Sequence, residues 1–143
     1  MATAAAAIGH DELLVALNEL LEAERAGARV TRETAADMPA APLKGLVEEI
    51  HADEVRWCKM LIGHIGALQG TASTATGAFH VKAMAIPDLG ERLAFLNRGQ
   101  AWVVRRLQGL IPRLDNRPLR ADLEAMLAAH GDNIARVDER LAA

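Results

Sequence analysis

Aromatic residues are scarce in this chain, and tyrosine is absent. The 143 residues include two Trp and two Phe, so aromatic residues make up 3% of the sequence, whereas hydrophobic residues as a whole make up 51%. Strands are enriched in aromatic and β-branched residues, whereas Ala and Leu, which dominate here, are good helix formers. The composition therefore favours helices over sheets, and the length suits a single domain.

Three further absences narrow the class of protein. Cys58 is the only cysteine, so an internal disulfide is excluded and a small buried hydrophobe in a reducing compartment is expected. No apolar run approaches the length of a membrane span. Residues 1–70 carry 6 Lys/Arg against 11 Asp/Glu, and residues 71–143 carry 10 against 8, so neither half is basic. We therefore expect a cytoplasmic protein that binds neither membranes nor nucleic acid.

Apolar residues recur every three or four positions in four long segments, which predicts four amphipathic helices. The Ala-rich start, residues 1–10, lacks the charged stretch of a secretory signal, and we expect it to be disordered. Residues 11–143 then form one helical domain. The first helix runs from Asp11, which can cap it, to about Thr34, and the second opens at Pro42.

A long crossover, residues 69–88, separates the second and third helices. It is rich in Gly, Ser and Thr, and a short helix is expected around Phe79. A connection of this length is uncommon in a compact domain unless it passes from one end of a bundle to the other. A capping box at Asp88 and Glu91 opens the third helix, and Pro118 opens the fourth. The pattern predicts an all-α, up-down-down-up four-helix bundle with a long crossover between helices 2 and 3.

Each predicted helix also carries a polar side chain near the middle of its apolar face. These residues are Glu24 on the first helix, His51 and Glu54 on the second, Gln100 on the third and His130 on the fourth. A buried carboxylate without a partner costs several kcal/mol, so something must meet these groups. Because the midpoints of packed helices lie at one level, we expect the five side chains to converge in one buried cluster.

The two halves of the chain are weakly similar to each other. HADEV, residues 51–55, resembles HGDNI, residues 130–134. The segment LLEAERAG aligns with LNRGQAWV, which places Glu24 opposite Gln100. Matches this short can arise by chance between amphipathic helices, but a duplicated helix pair would leave the same trace.

The arrangement over four helices resembles the ferritin-like superfamily, and more narrowly an uncharacterised bacterial ferritin-like family described only as a domain of unknown function. In members with an intact site, two helices each contribute a Glu and the other two each contribute a Glu-x-x-His, and these residues hold two metal ions. By position, Glu24 matches the first Glu, and Glu48 with His51 matches the first Glu-x-x-His.

The second half of the chain departs from that pattern. Gln100 stands where a Glu is expected, and Leu127 with His130 replaces the second Glu-x-x-His. Two divalent ions would bring four positive charges to a core with too few carboxylates to balance them. The resemblance implies one or two ions of Fe, with Mn and Zn as alternatives, and leaves open whether Glu48 or Glu54 is the carboxylate on the second helix. The candidate ligands are Glu24, Glu48, His51, Glu54, Gln100 and His130.

Two functions from different classes follow from these residues. The resemblance implies a bundle that binds a transition metal and, if it is an enzyme, oxidises a small molecule at iron with oxygen or peroxide. The alternative is a non-catalytic helical interaction protein whose degenerate site is free of metal. Glu24 would then pair with His51, and Gln100 would hydrogen-bond His130, within a buried polar layer that fixes the helix register. The sequence does not identify a substrate.

Trp102 lies about 200° around its helix from Gln100, on the side that should face away from the core. It could anchor a partner, or Phe79 or Met84 of the crossover could cover it, and the second arrangement is favoured. We expect a homodimer because so small a bundle has abundant apolar surface. The other histidines, His10, His64 and His80, are expected at the surface or in loops.

Overall fold

The computed structural model describes residues 6–39 and 42–143, and these residues form helices and connections but no strand. Within them, no helix is both long enough and apolar enough to cross a membrane. The α-helices are α1 (His10–Asp37), α2 (Leu43–Ala67), α3 (Phe79–Met84), α4 (Leu89–Leu110) and α5 (Arg117–Ala142). A short 3-10 turn, Ile111–Arg113, follows α4.

The ends of the helices are set by local side chains. Asp88 caps α4 as predicted, since its carboxylate accepts a hydrogen bond from the Glu91 N–H at 2.9 Å. The prediction that Asp11 caps α1 is wrong, because the N-cap is Gly9 and Asp11 lies in the first turn of the helix. A carboxylate in that turn still interacts favourably with the helix dipole.

The segment before α1 includes residues 1–5, which lie outside the described residues, so that part of the expected disordered start is not described. Ile8 packs against the core, and its N–H donates to the Arg113 carbonyl at 3.1 Å. The Arg113 guanidinium donates in turn to the Ala6 carbonyl at 3.0 Å. These contacts join the start of the described chain to the turn that follows α4.

Contacts between opposite ends of neighbouring helices define the topology. Near the start of α1, Glu19 accepts a hydrogen bond from Arg106 at 2.5 Å, and near its end Thr34 accepts one from Arg92 at 3.4 Å. Because Arg92 precedes Arg106 on α4, the two helices are antiparallel. The corresponding contacts between α2 and α5 are His64 with Asp122 and Glu49 with Arg136. The up-down-down-up bundle predicted from the sequence is confirmed.

The core consists of two apolar clusters, one towards each end of the bundle. The first includes Leu17, Leu21, Trp57, Leu61, Val103, Leu107, Leu123 and Met126. The second includes Val30, Val47, Ile50, Leu93, Leu96 and Val137. Each of the four long helices runs from one cluster to the other. A buried polar residue lies where each helix passes between them, namely Glu24, Glu54, Gln100 and His130.

The crossover is fixed to the bundle by α3, which packs against α1 and α4. Phe79 stacks on Phe95, with ring centroids 4.9 Å apart. The edge of the Phe79 ring lies so close to Gly99 that a Cβ there would be 2.8 Å from two ring carbons. At the end of the crossover, the Arg92 guanidinium donates twice to the Ile86 carbonyl, at 2.9 and 3.0 Å.

Trp102 is 38% exposed, so the crossover leaves more than a third of it uncovered. The favoured arrangement for this residue is therefore wrong, because Phe79 stacks on Phe95 instead and Met84 packs against the second apolar cluster. The Arg106 guanidinium lies 5.8 Å from the centre of the Trp102 ring. A single chain does not test the expected homodimer, which stays a prediction.

The close approach of Phe79 to Gly99 can be tested with a matched pair of substitutions on α4. Gly109 has no atom within 4 Å of its ideal Cβ position, so Gly109→Ala should stabilise the protein by about 0.5–1 kcal/mol through helix propensity. Gly99→Ala should instead destabilise it by about 1 kcal/mol, because the new methyl group displaces Phe79. Urea denaturation measures both values. An equal gain at both positions would contradict the account.

Candidate metal centre

Three buried ionisable side chains meet at the level between the two apolar clusters. Glu24 on α1, Glu54 on α2 and His130 on α5 are 1%, 3% and 1% exposed. One ligand atom from each side chain lies within 4.8 Å of the others. Mixed carboxylate and imidazole donors suit Fe(II), Mn(II) and Zn(II). The convergence expected from the sequence is therefore found for these three residues.

A backbone contact of His130 determines which of its ring nitrogens faces Glu24. The Nδ1 atom lies 3.0 Å from the Met126 carbonyl, and because a carbonyl can only accept, Nδ1 carries the proton. In the neutral ring, Nε2 then has a free lone pair. That atom lies 2.7 Å from Oε1 of Glu24. An imidazole whose second nitrogen is held by a carbonyl is the usual arrangement of a metal-binding histidine.

The environment of His130 acts on its pKa in both directions. Burial, the largest effect, lowers the pKa because it disfavours the charged ring. The Glu24 carboxylate, the hydrogen bond to Met126 and the charge of Asp53 act in the opposite direction and leave the pKa raised. Without an ion, His130 is therefore protonated more readily than a free imidazole.

Several polar atoms of the centre lack hydrogen bonds. Oε1 of Glu24, Oε2 of Glu54 and Nε2 of His130 are buried and make no well-directed hydrogen bond within the part of the chain that the structure describes. The short distance between Glu24 and His130 allows an ion pair without good hydrogen-bond geometry. Buried polar atoms left unpaired in this way are costly. A divalent ion would satisfy all three atoms at once, so the residues present fit a metal.

A glycine that the sequence analysis missed makes room for Glu54. Gly27 is buried on α1, and a Cβ at this position would lie 3.1–3.2 Å from the carboxylate atoms of Glu54. A glycine inside a helix is less favourable than alanine, so it needs a packing reason, and the approach of the carboxylate supplies one. In the sequence, the only sign of this role is the position of Gly27, one helical turn after Glu24 on the same apolar face.

Gln100 lines the same space as the three ionisable residues and is also buried. Its Nε2 donates to Oδ1 of Asn97 at 3.4 Å, whereas its Oε1 has no partner among the described residues. The metal-free interpretation predicted a hydrogen bond from Gln100 to His130. That prediction is wrong, since the contact is with Asn97.

The structure places Glu48 and His51 outside the centre. Glu48 is exposed, and Nδ1 of His51 donates to the Ala28 carbonyl at 2.9 Å. The two residues line a separate groove between α1 and α2, together with Arg32. The assignment of both as candidate ligands is therefore not supported by the geometry. The expected pair of Glu24 with His51 is also wrong, because Glu24 meets His130.

If Glu54 and not Glu48 is the carboxylate ligand on α2, the positions of the Glu-x-x-His pattern shift along the sequence. Trp57 then stands at the His position on α2, and His130 and Asn133 stand at the Glu and His positions on α5. Trp57 is buried and cannot replace an imidazole, while Asn133 donates to Oδ2 of Asp53 at 3.0 Å. Neither position offers the second imidazole that the intact pattern contains.

This register also unites the two halves of the chain. A constant separation of 76 residues relates Glu24 to Gln100, Glu54 to His130 and Trp57 to Asn133. The match of HADEV with HGDNI has a different separation, and it pairs His51 instead of Glu54 with His130. Each helix pair thus supplies equivalent positions, but the first keeps both carboxylates and the second has an amide and an imidazole.

A central cleft of about 580 Å³ runs from the candidate metal centre to the surface between α1, α4 and the crossover. Its inner end is formed by Glu24, Glu54, Gln100 and His130. Its walls are mainly apolar and include Phe79, Phe95, Leu96, Trp102 and Val103. Its mouth carries Glu19, Glu22, Arg98 and Arg105. The inner end of the cleft therefore lies against the candidate metal centre.

An up-down-down-up bundle with carboxylate and imidazole groups at its centre has the architecture of a ferritin-like protein. Residues 11–139 match the family described as "Domain of unknown function (DUF6306)", and the chain belongs to that family. It is similar to a solved structure described as a ferritin-like, diiron-carboxylate protein from Bacillus anthracis, with a TM-score of 0.80 and 22% identity. The match covers 92% of this chain and 96% of that chain, and it shows the shared fold. None of the curated proteins compared with the chain matches it.

Cys58 provides a test of the packing beside the centre. It lies partly buried against the first apolar cluster, and burial, aided by the charge of Glu24, raises its pKa to about 11. At pH 8 about one thiol in a thousand would be ionised, against roughly a quarter for a free cysteine. Alkylation by iodoacetamide should therefore be much slower in the native protein than in guanidinium chloride. Equal rates would show that the thiol is exposed.

Proposed function

We propose that the protein binds one divalent transition-metal ion through Glu24, Glu54 and His130. The observation that carries the proposal is the convergence of three buried ligand groups, each with a polar atom that makes no well-directed hydrogen bond among the described residues. Gln100 lies beside them at the inner end of the cleft.

Charge favours one ion over two. Two carboxylates and a neutral imidazole balance the two positive charges of one divalent ion, whereas a second ion would leave two positive charges in a low-dielectric core. The replacement of Glu by Gln100 and His130 at the equivalent positions of the second helix pair accounts for the missing carboxylates. The protein would thus keep a ferritin-like bundle with a smaller metal content.

Iron is the metal that we propose first, with Mn and Zn as alternatives. Support comes from the mixed donor set and from the similar structure, which is described as a diiron-carboxylate protein. Bound Fe(II) would supply activation of oxygen or peroxide, and an oxidase-like activity would follow. Glu24 and Glu54 would neutralise the ion, Met126 would orient His130, and the two apolar clusters would exclude water from the inner end of the cleft.

A second candidate function is a non-catalytic interaction protein with a metal-free polar layer. It is favoured by the 2.7 Å approach of His130 to Glu24 and by the raised pKa of His130, which together would form an ion pair between α1 and α5. A proton and a metal ion cannot both occupy Nε2. Metal binding therefore separates the two functions.

The test compares two histidine substitutions in thermal unfolding. Fe(II) under anaerobic conditions, Mn(II) or Zn(II) at a hundredfold excess over its Kd should stabilise the protein by about 2.7 kcal/mol and raise its Tm by roughly 10 °C. His130→Ala should abolish this shift because it removes a ligand. His51→Ala is the matched control and should keep it, since His51 lies outside the centre.

Isothermal titration of Zn(II) into the metal-free protein adds the stoichiometry. We expect one ion per chain for the wild type and for His51→Ala. A wild-type Tm that none of the three ions changes would favour the interaction protein. Loss of the shift in His51→Ala alone would move the site to the groove that contains Glu48. Should His130→Ala not fold, Glu54→Gln with the same titration decides.

A further inference from the structure

We propose that the central cleft binds a small, uncharged and mainly apolar organic molecule that donates one hydrogen bond to Oε1 of Gln100. This inference deepens the proposed function by naming a class of substrate. The cleft itself is formed by protein side chains, so binding of such a molecule can be measured with or without an ion.

The size and walls of the cleft fit such a molecule. A cavity of about 580 Å³ lies within the range of small-molecule sites. The stacked pair of Phe79 and Phe95 forms one apolar wall, and Trp102 and Val103 contribute another part. Aromatic faces arranged in this way favour a flat or ring-shaped apolar body.

The charges around the cleft favour a neutral molecule. Its mouth carries two acidic residues, Glu19 and Glu22, and two basic ones, Arg98 and Arg105. Glu19 is also paired with Arg106. The charges at the mouth are balanced, and the carboxylates of Glu24 and Glu54 at the inner end repel an anion. A charged ligand of either sign would also lose its hydration against mostly apolar walls.

A chain of hydrogen bonds fixes the orientation of the Gln100 amide. Nδ2 of Asn97 donates to the Ile134 carbonyl at 3.1 Å and to the Asp138 carboxylate at 2.8 Å. Oδ1 of Asn97 is therefore the end that accepts from Nε2 of Gln100. Oε1 of Gln100 is left as a buried acceptor at the inner end of the cleft, without a partner among the residues described.

An acceptor with no protein partner discriminates between ligands. A molecule that donates a hydrogen bond restores the pairing lost on burial, whereas an isostere without a donor leaves the acceptor unpaired. Gln100 would thus be a residue that determines specificity. Asn97 and Asp138 would position it without touching the ligand.

The experiment compares 4-ethylphenol with 4-ethyltoluene, which replaces the hydroxyl group by a methyl group. Both are titrated into ¹⁵N-labelled protein, once in EDTA and once with saturating Zn(II), and NMR shifts of Gly99, Gln100 and Val103 report binding. We expect both to bind, with 4-ethylphenol about threefold to tenfold tighter. The charged analogue 4-ethylbenzoate should bind at least about tenfold more weakly than 4-ethylphenol.

Two variants test the site and the acceptor separately. Ala23→Phe places a ring in the cleft and should abolish binding of both molecules. Ala129→Phe is the control, because Ala129 is also half-buried but lines a different groove on α5. Gln100→Leu should keep 4-ethyltoluene binding and remove the preference for 4-ethylphenol.

The outcomes separate this inference from the metal proposal. Absence of binding by either molecule, undiminished binding in Ala23→Phe, or strong binding of 4-ethylbenzoate would overturn the cleft as a site for neutral ligands. A preference that survives Gln100→Leu would overturn the role of Gln100, and this variant decides if Ala23→Phe does not fold. Ligand binding by a protein whose Tm none of the three ions changes would refute the metal proposal alone. Metal binding without binding of either organic molecule would refute this inference alone.

Discussion

The structure depends on how two buried carboxylates and one buried imidazole are accommodated between two apolar clusters. Glu24, Glu54 and His130 come from three helices, so their mutual contacts set the relative height of α1, α2 and α5. Removing one partner of such a buried group costs about 3–5 kcal/mol, because the remaining charge is left uncompensated. The surrounding features serve this cluster: Gly27 leaves space for Glu54, and the Met126 carbonyl fixes the His130 ring.

The fold was predictable because each helix carries its own signal. The apolar repeat, the cap at Asp88 and the long crossover specify four helices and their order, and these elements are local in sequence. The cover of Trp102 was not predictable. It depends on the position of the Phe79 ring. That ring packs against Gly99, which has no side chain and is distant in sequence.

The site was predictable in part, and the error lies on α2. His51 and Glu54 are about 60° apart on one helix face, so periodicity alone could not rank them. The structure turns Glu54 inward and leaves His51 against the backbone of α1 at Ala28. The Glu-x-x-His motif then favoured Glu48, because Glu48 lies three residues before His51. A constant separation between the two halves of the chain would have indicated Glu54, Trp57 and Asn133 instead.

The departures from the intact pattern share one consequence. Gln100 and His130 stand where the intact pattern has carboxylates, so they remove negative charge from the second helix pair, and the cleft opens beside Gln100. We propose that a bundle of this kind keeps the ferritin-like framework with a single ion and a space for a small molecule. Anomalous diffraction from crystals grown with Zn(II) tests this most directly. The account predicts one peak per chain, in contact with Glu24, Glu54 and His130. Two peaks in the core, or one beside Glu48 and His51, would contradict it.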